Sequence, residues 1–404
     1  MFPTVSLLTT ILLAFSITVS SVEVSNSPIT LPIARRLNVS DGIINLLQRD
    51  KARMAALRDS SLSHAGLGTS ISNVGNSYLL AVGVGSPPKT YNLIVDTGSS
   101  NTWIGAGTPY VKTKTSVNTG RAVSVGYGSG FFSGTEYLDT VTLGQGLTIP
   151  HQSIGVASSS SGFAGVDGIL GMGPVDLTLD TLTKEPKTTI PTVTDSLHSQ
   201  GTIQREVFSI SFEPTNSQPV TNGELTFGET DAHKYTGAIT YTPITTGQTA
   251  SNYWGIKESI SYGSTTIMSS TDGIVDTGTT FIFIATDAYK KYKSATGGIP
   301  DSATGLLRVS SSQYKALKNL NFHIGGETYT LTPNAQLWPR ALNTYIGGAS
   351  KAMYLVVSDI DSANGPGFDF VNGYPFLERF YSVFDATNSR IGFATTAYTN
   401  SEIN

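Results

Sequence analysis

The chain has 404 residues, of which 13% are charged, with 42 glycines, 18 prolines and no cysteine. A net charge of −4 gives no electrostatic reason to expect nucleic acid as a partner, and the missing cysteines exclude disulfides, thiolate metal sites and a cysteine nucleophile. The low charge and abundant Gly, Ser and Thr exclude a coiled coil and suit a mainly β protein with many turns, long enough for two lobes plus processing segments.

Residues 1–21 hold an apolar centre from Val5 to Val19 that ends in small residues, too short and too rich in hydroxyls for a membrane span. It reads as a secretory signal peptide without a basic start. No later apolar run reaches 18 residues, and the polar tail from Ala397 to Asn404 carries no lipid-anchor signal, so no membrane anchor is expected. Residues 22–70 are cationic: Arg35, Arg36, Arg49, Lys51, Arg53 and Arg58 outnumber Glu23, Asp41, Asp50 and Asp59, leaving the remainder of the chain acidic. Between Ser40 and Asp59, the residues Ile43, Ile44, Leu47, Met54 and Leu57 approximate a helical stripe, with Ser40 as an N-cap. Ser60 to Ser70 reads as a processing zone, and the single Asn-x-Ser/Thr site, Asn38, precedes it.

Tyr78 to Val84 reads as a strand, followed by the turn Gly85-Ser86-Pro87-Pro88. Then comes Leu93-Ile94-Val95-Asp96-Thr97-Gly98-Ser99-Ser100, which returns 180 residues later as Gly273-Ile274-Val275-Asp276-Thr277-Gly278-Thr279-Thr280. Each copy is an apolar strand that ends in a carboxylate, then a turn with hydroxyls. A carboxylate there is costly unless it is hydrogen-bonded or used. If the two copies face each other, the like charges cannot both ionise at mild pH, and the pair holds one proton. Trp103 lies seven residues beyond Asp96, and Val123 to Gly134 contains two β-capable runs joined by Tyr127-Gly128-Ser129-Gly130, a mobile hairpin. Asp167-Gly168-Ile169-Leu170-Gly171 reads as a buried strand, Thr192 to Gln200 and Asp287 to Ala295 as helices, and Val207 to Phe212, Trp254 to Ile256 and Ser259 to Tyr262 as strands.

On these residues the chain resembles the pepsin-like aspartic proteases, most nearly the fungal polyporopepsin type, from about Tyr78 to Thr396. The resemblance implies a mainly β, bilobal fold of two pseudo-twofold-related barrel-like lobes with a central cleft and few short helices. The division would be a signal peptide 1–21, a propeptide 22–70, an N-terminal lobe 71–212 with Asp96 and the flap, and a C-terminal lobe 213–404 with Asp276. It implies an acidic-pH, pepstatin-sensitive endopeptidase, secreted or held in a vacuole, monomeric, needing no cofactor or metal, and inhibited by its own propeptide through a basic side chain that no motif singles out. Asp96 and Asp276 would be catalytic, Ser99 and Thr279 would bond their outer oxygens, Thr97 and Thr277 would link the lobes, and Gly98 and Gly278 would complete the turns. Tyr127, Gly128 and Ser129 would form the flap tip, with Tyr127 bonded to Trp103, while Ile94 and Ile169 would wall the pocket before the scissile bond. Substrates would be polypeptides with bulky apolar residues at that bond. Relatives that accept lysine there carry an Asp after the flap Tyr-Gly, where this chain has Ser129. Phe370-Val371-Asn372-Gly373 departs from the family's apolar-apolar-Gly segment at Asn372.

Competing chemistries lack their residues. His64, His151, His198, His233 and His323 are scattered singly, and neither a His-Glu-x-x-His nor a Gly-x-Ser-x-Gly motif occurs. A glycosidase carboxylate pair does not call for a two-lobed Asp-Thr-Gly repeat. An inactive binding protein of the same fold usually loses one of the residues retained here, and a peptide-cleavage assay separates that reading.

Overall fold

A computed structural model describes residues 28–37, 45–58, 76–144, 146–362 and 367–403. The expected signal peptide, Ser40, Ile43, Ile44, Asn38 and the Ser60–Ser70 processing zone lie outside them.

The two Asp-Thr-Gly runs end strands with matching neighbours. Lys89–Asp96 pairs antiparallel with Asn76–Val84 and parallel with Gly168–Gly171, placing Val95 beside Leu170 and Asp96 beside Gly171. Thr265–Val275 pairs antiparallel with Gly255–Tyr262 and parallel with Phe370–Asn372, placing Val275 beside Asn372. Both apolar runs, Leu93-Ile94-Val95 and Ile274-Val275, are buried, as continuous runs between parallel neighbours should be. The first set belongs to a thirteen-stranded sheet and the second to a seven-stranded one. The larger sheet also contains Val207–Phe212, Val220–Phe227, Thr236–Pro243, Phe380–Asp385 and Arg390–Thr395, so strands from both ends of the chain join the halves. The fold is mainly β and bilobal.

The cationic segment holds two elements. Ile29–Leu37 is a strand inserted between Val220–Phe227 and Asn76–Val84, where sequence reading had placed no element. Leu31 and Ile33 are buried, each contributing about 1.5–3 kcal/mol by leaving water. Arg35, on the same strand, is 2% exposed and bonds Glu378 at 2.7 Å. The expected helix spans Leu46–Arg58, capped by Asn45, whose Oδ1 accepts the Gln48 amide at 2.9 Å. Leu47 and Met54 are buried, as the stripe implies.

Elsewhere, the helix Val193–Ser199 starts with a capping box between Thr192 and Asp195, and Thr286–Thr296 ends at Gly297 with φ +67°, a left-handed stop that suits glycine. Gly255–Tyr262 is one strand with a register shift after Glu258, where two short strands were read. Tyr374–Leu377 is a short helix ahead of Phe380–Asp385, because Pro375 suits a first helical turn and cannot donate to a ladder. Among the described residues, no helix is long and apolar enough to cross a membrane.

Candidate active site

The two turns after the strands interlock. The Thr97 amide donates to Thr277 Oγ1 at 2.9 Å and the Thr277 amide to Thr97 Oγ1 at 3.0 Å. Each hydroxyl in turn donates across the twofold, Thr97 to the Val275 carbonyl at 3.1 Å and Thr277 to that of Val95 at 2.8 Å. Four buried hydrogen bonds therefore bring the two turns together.

Each carboxylate is oriented by its own turn. Asp96 accepts from the Gly98 amide at 3.1 Å and from the Ser99 hydroxyl at 2.6 Å. Asp276 accepts from the Gly278 amide at 2.8 Å and from the Thr279 hydroxyl. A side chain at either glycine would collide with the opposite carboxylate: a Cβ on Gly98 would sit 2.6 Å from Asp276 Oδ1, and one on Gly278 2.6 Å from Asp96 Oδ1. The glycines are what allow the two acids to approach.

Between the acids stands Arg53, from the helix Leu46–Arg58. Its Nη2 reaches Asp96 Oδ1 at 2.6 Å and Asp276 Oδ1 at 3.0 Å, while its Nε reaches Asp276 Oδ2 at 2.8 Å. Burial opposes the Arg53 charge, but Asp276 and Asp96 outweigh it and hold its pKa well above the ordinary value. Burial raises Asp96, with Asp276 adding and Arg53 opposing. Burial also pushes Asp276 upward, but the two-point grip of Arg53 and the Thr279 and Gly278 donors bring it below the usual carboxylate range.

Further contacts seat the helix. Asp50 accepts the Thr280 amide at 2.7 Å and the Phe281 amide at 3.2 Å, and burial pushes its carboxyl up to about 6. The Tyr253 hydroxyl donates to the Leu57 carbonyl at 3.1 Å. Lys51 pairs with Asp361 at 3.2 Å.

The hairpin read as a flap is formed by Val117–Gly126 and Phe131–Gly144, with Gly126 opposite Phe131. Gly128, at its tip, has φ +71° and lies so close to Ala52 that a Cβ would collide with that residue's carbonyl. The Ser129 amide donates to the Tyr127 carbonyl at 2.8 Å. Behind the tip, Tyr127, Trp103, Phe132, Phe163, Ile94 and Ile169 share one apolar cluster, and Ile94 pairs with Ile169 across the parallel ladder. The Trp103 and Tyr127 rings lie 6.5 Å apart. Burial raises the Tyr127 hydroxyl, with Asp96 adding and the nearby Trp103 opposing. Beside the helix, a cavity of about 350 Å³ remains, lined among others by Arg53, Ser99, Tyr127 and Tyr253.

The two Asp-Thr-Gly turns and the flap-tip residues read from the sequence thus meet the helix Leu46–Arg58, while Trp103, Ile94 and Ile169 are buried behind the hairpin tip. Sequence reasoning missed Arg53, Asp50 and Tyr253. Arg53 lies three residues after Asp50 and seven after Leu46, on one helix face, but Arg49 shares that face, so spacing alone does not single it out. Among the described residues no cluster of three metal-ligating side chains occurs, and the four described histidines are exposed.

Comparison with known proteins agrees with this geometry. The family described as eukaryotic aspartyl protease matches residues 77–396. Polyporopepsin of Irpex lacteus is 63% identical over 328 residues, covering 81% of this chain and 96% of that protein. Human gastricsin is 30% identical over 344 residues, covering 80% and 82% respectively. The crystal structure of the aspartic proteinase from Irpex lacteus superposes with a TM-score of 0.79 at 63% identity, over 81% of this chain and 96% of that one. The chain belongs to the eukaryotic aspartyl protease family and is a pepsin-like aspartic endopeptidase.

Proposed function

We propose that this chain is the precursor of a secreted acid endopeptidase in which Asp96 and Asp276 activate one water between them. The observation that supports this is a single one: one nitrogen of Arg53 bonds the inner oxygens of both acids. Space for one nitrogen between two carboxylates is also space for one water once Arg53 has left. The ionised member takes a proton from that water as it attacks the peptide carbonyl, while the protonated member donates to the carbonyl oxygen. The proton then reaches the leaving nitrogen, and no covalent intermediate forms. The shared proton belongs to the pair.

Residues 22–70 act as an intramolecular inhibitor. Arg53 occupies the place of the water, and the helix lies between the flap tip and Tyr253. The pH dependence follows from sign: Asp276 is more acidic with Arg53 docked than without it, so docking is favoured above the free enzyme's pKa and weakens as pH falls through it. Acid therefore releases the segment. Released, the apolar cluster of Ile94, Ile169 and Phe163 suits bulky apolar residues flanking the scissile bond. Ser129 offers no charge to a lysine, so lysine-containing substrates should lag behind leucine or phenylalanine ones.

Acid incubation of the full-length chain tests the reading. A new N-terminus near residue 70, together with pepstatin-sensitive cleavage that peaks at acidic pH, is the expected result. Peak hydrolysis at neutral pH, or an uncleaved chain of full activity, would overturn it.

A further inference from the structure

Behind Asp276 the core is polar where its counterpart behind Asp96 is not. Strand register gives the equivalence. Leu79 pairs with Ile94 and Gly255 with Ile274, so three positions further along Val82 corresponds to Glu258. Val95 pairs with Leu170 and Val275 with Asn372, so Leu170 corresponds to Asn372. Val82 and Leu170 are fully buried members of the main apolar core. Glu258 and Asn372 are just as buried, at 1% and 0% exposure. Two aliphatic positions in one half thus hold an acid and an amide in the other.

The acid and amide touch. Asn372 Nδ2 donates to Glu258 Oε2 at 2.7 Å, while Glu258 Oε1 and Asn372 Oδ1 have no hydrogen-bond partner among the described residues. A carboxylate brings acceptors only, so an ionised Glu258 would leave the amide oxygen unpaired in a dry core. A neutral carboxyl has one O–H, and donating it to Asn372 Oδ1 closes a ring of two hydrogen bonds with no polar atom left over.

We propose that Glu258 is a protonated positioning residue, forming with Asn372 a neutral acid–amide pair that braces the Asp276 loop, and that loss of this proton loosens the loop as pH rises. The brace reaches the loop through backbone. The Asn372 carbonyl accepts the Asp276 amide at 3.2 Å, and the Tyr374 amide donates to the Thr279 carbonyl at 3.1 Å. Thr279 in turn holds the Asp276 carboxylate.

Charged groups on the surrounding elements are engaged elsewhere. Lys257 and Asp272 pair with each other at 2.9 Å, Asp369 accepts from Thr271, and exposed His323 bonds Ser261 and Thr328. Asp276 is engaged by its own loop and by Arg53. Burial pushes Glu258 up to about 8 from 4.5, with the Asn372 bond opposing. A raised folded pKa means that the stabilisation is complete below about 4.5 and is lost progressively as pH rises to about 8.

The test compares Glu258→Gln with the parent in the full-length chain, both carrying Asp96→Asn to prevent self-cleavage. The folding equilibrium of the parent relative to Glu258→Gln should fall about tenfold per pH unit between roughly pH 5 and 8, then level off. In the active enzyme, Glu258→Gln should keep its rate at acidic pH while the pH of alkaline inactivation moves upward. Should Glu258→Gln not accumulate, Glu258→Val with Asn372→Leu installs the apolar pair of the other half and gives the same comparison. Infrared difference spectra of the parent at pH 7 should contain a protonated-carboxyl band that either variant removes. A flat stability difference across this pH range, or an ionised Glu258 at pH 7, would overturn the proposal.

Discussion

Asp96 and Asp276 receive the same local bonds, an amide from two residues on and a hydroxyl from three residues on. Arg53 nevertheless holds them unequally. Arg53 touches Asp96 with one nitrogen and Asp276 with two, so the ionised form is favoured more strongly on Asp276. The surroundings differ as well: Val82 and Leu170 lie behind one turn, Glu258 and Asn372 behind the other. The motif repeat sets local geometry twice over. What breaks the symmetry comes from outside the motif, from a segment more than 40 residues upstream of Asp96 and from a strand beneath Asp276.

The largest effect expected concerns chemistry. Asp96→Asn and Asp276→Asn should each lower kcat by about 10⁴-fold or more while circular dichroism stays unchanged, as losses of one member of a catalytic unit do. Equal losses would show that the asymmetry belongs to the docked state. A variant at full rate would remove that acid from the mechanism. Next comes Arg53→Ala, which leaves two carboxyls facing each other without a cation. Removing one partner of a buried pair costs about 3–5 kcal/mol, so the helix should detach and short peptides should be cleaved by the uncleaved chain at mildly acidic pH. Continued latency would transfer the inhibitory role to Asp50 or Lys51.

Thr97→Val and Thr277→Val each delete a hydroxyl that donates once and accepts once across the twofold. Each should destabilise the chain by about 1–3 kcal/mol in denaturant unfolding, and near-equal values would support equivalence of the turns beneath the acids. Ser99→Ala is the smallest change. Its hydroxyl stabilises the ionised form of Asp96, so the acid limb of the activated enzyme's pH–rate profile should move upward by about one unit, and no movement would assign that limb to Asp276 alone.

The strands flanking Asp96 and Asp276 were legible because their apolar runs are long and occur twice. The hairpin was legible because Tyr127-Gly128-Ser129-Gly130 interrupts two alternating segments. Arg53 was not, since six basic residues share the segment and only docking distinguishes the one that meets carboxylates. The strand Ile29–Leu37 was hidden by Pro32 and by paired arginines, which usually mark exposed chain. Glu258 was unreadable for a related reason: its alternation gives a strand but not the neighbour across the sheet. Asn372 was visible as a departure, and only register supplied its partner.

By itself, the amino-acid sequence determined the fold class, the two acids and the hydroxyls beside them, because short-range pattern and motif spacing carry that information. Tertiary structure alone decided which arginine stands between the acids and which acid lies behind Asp276, because both depend on contacts between residues more than 40 positions apart. Burial and long-range proximity, the quantities that set proton affinity, exist only once the chain has closed on itself.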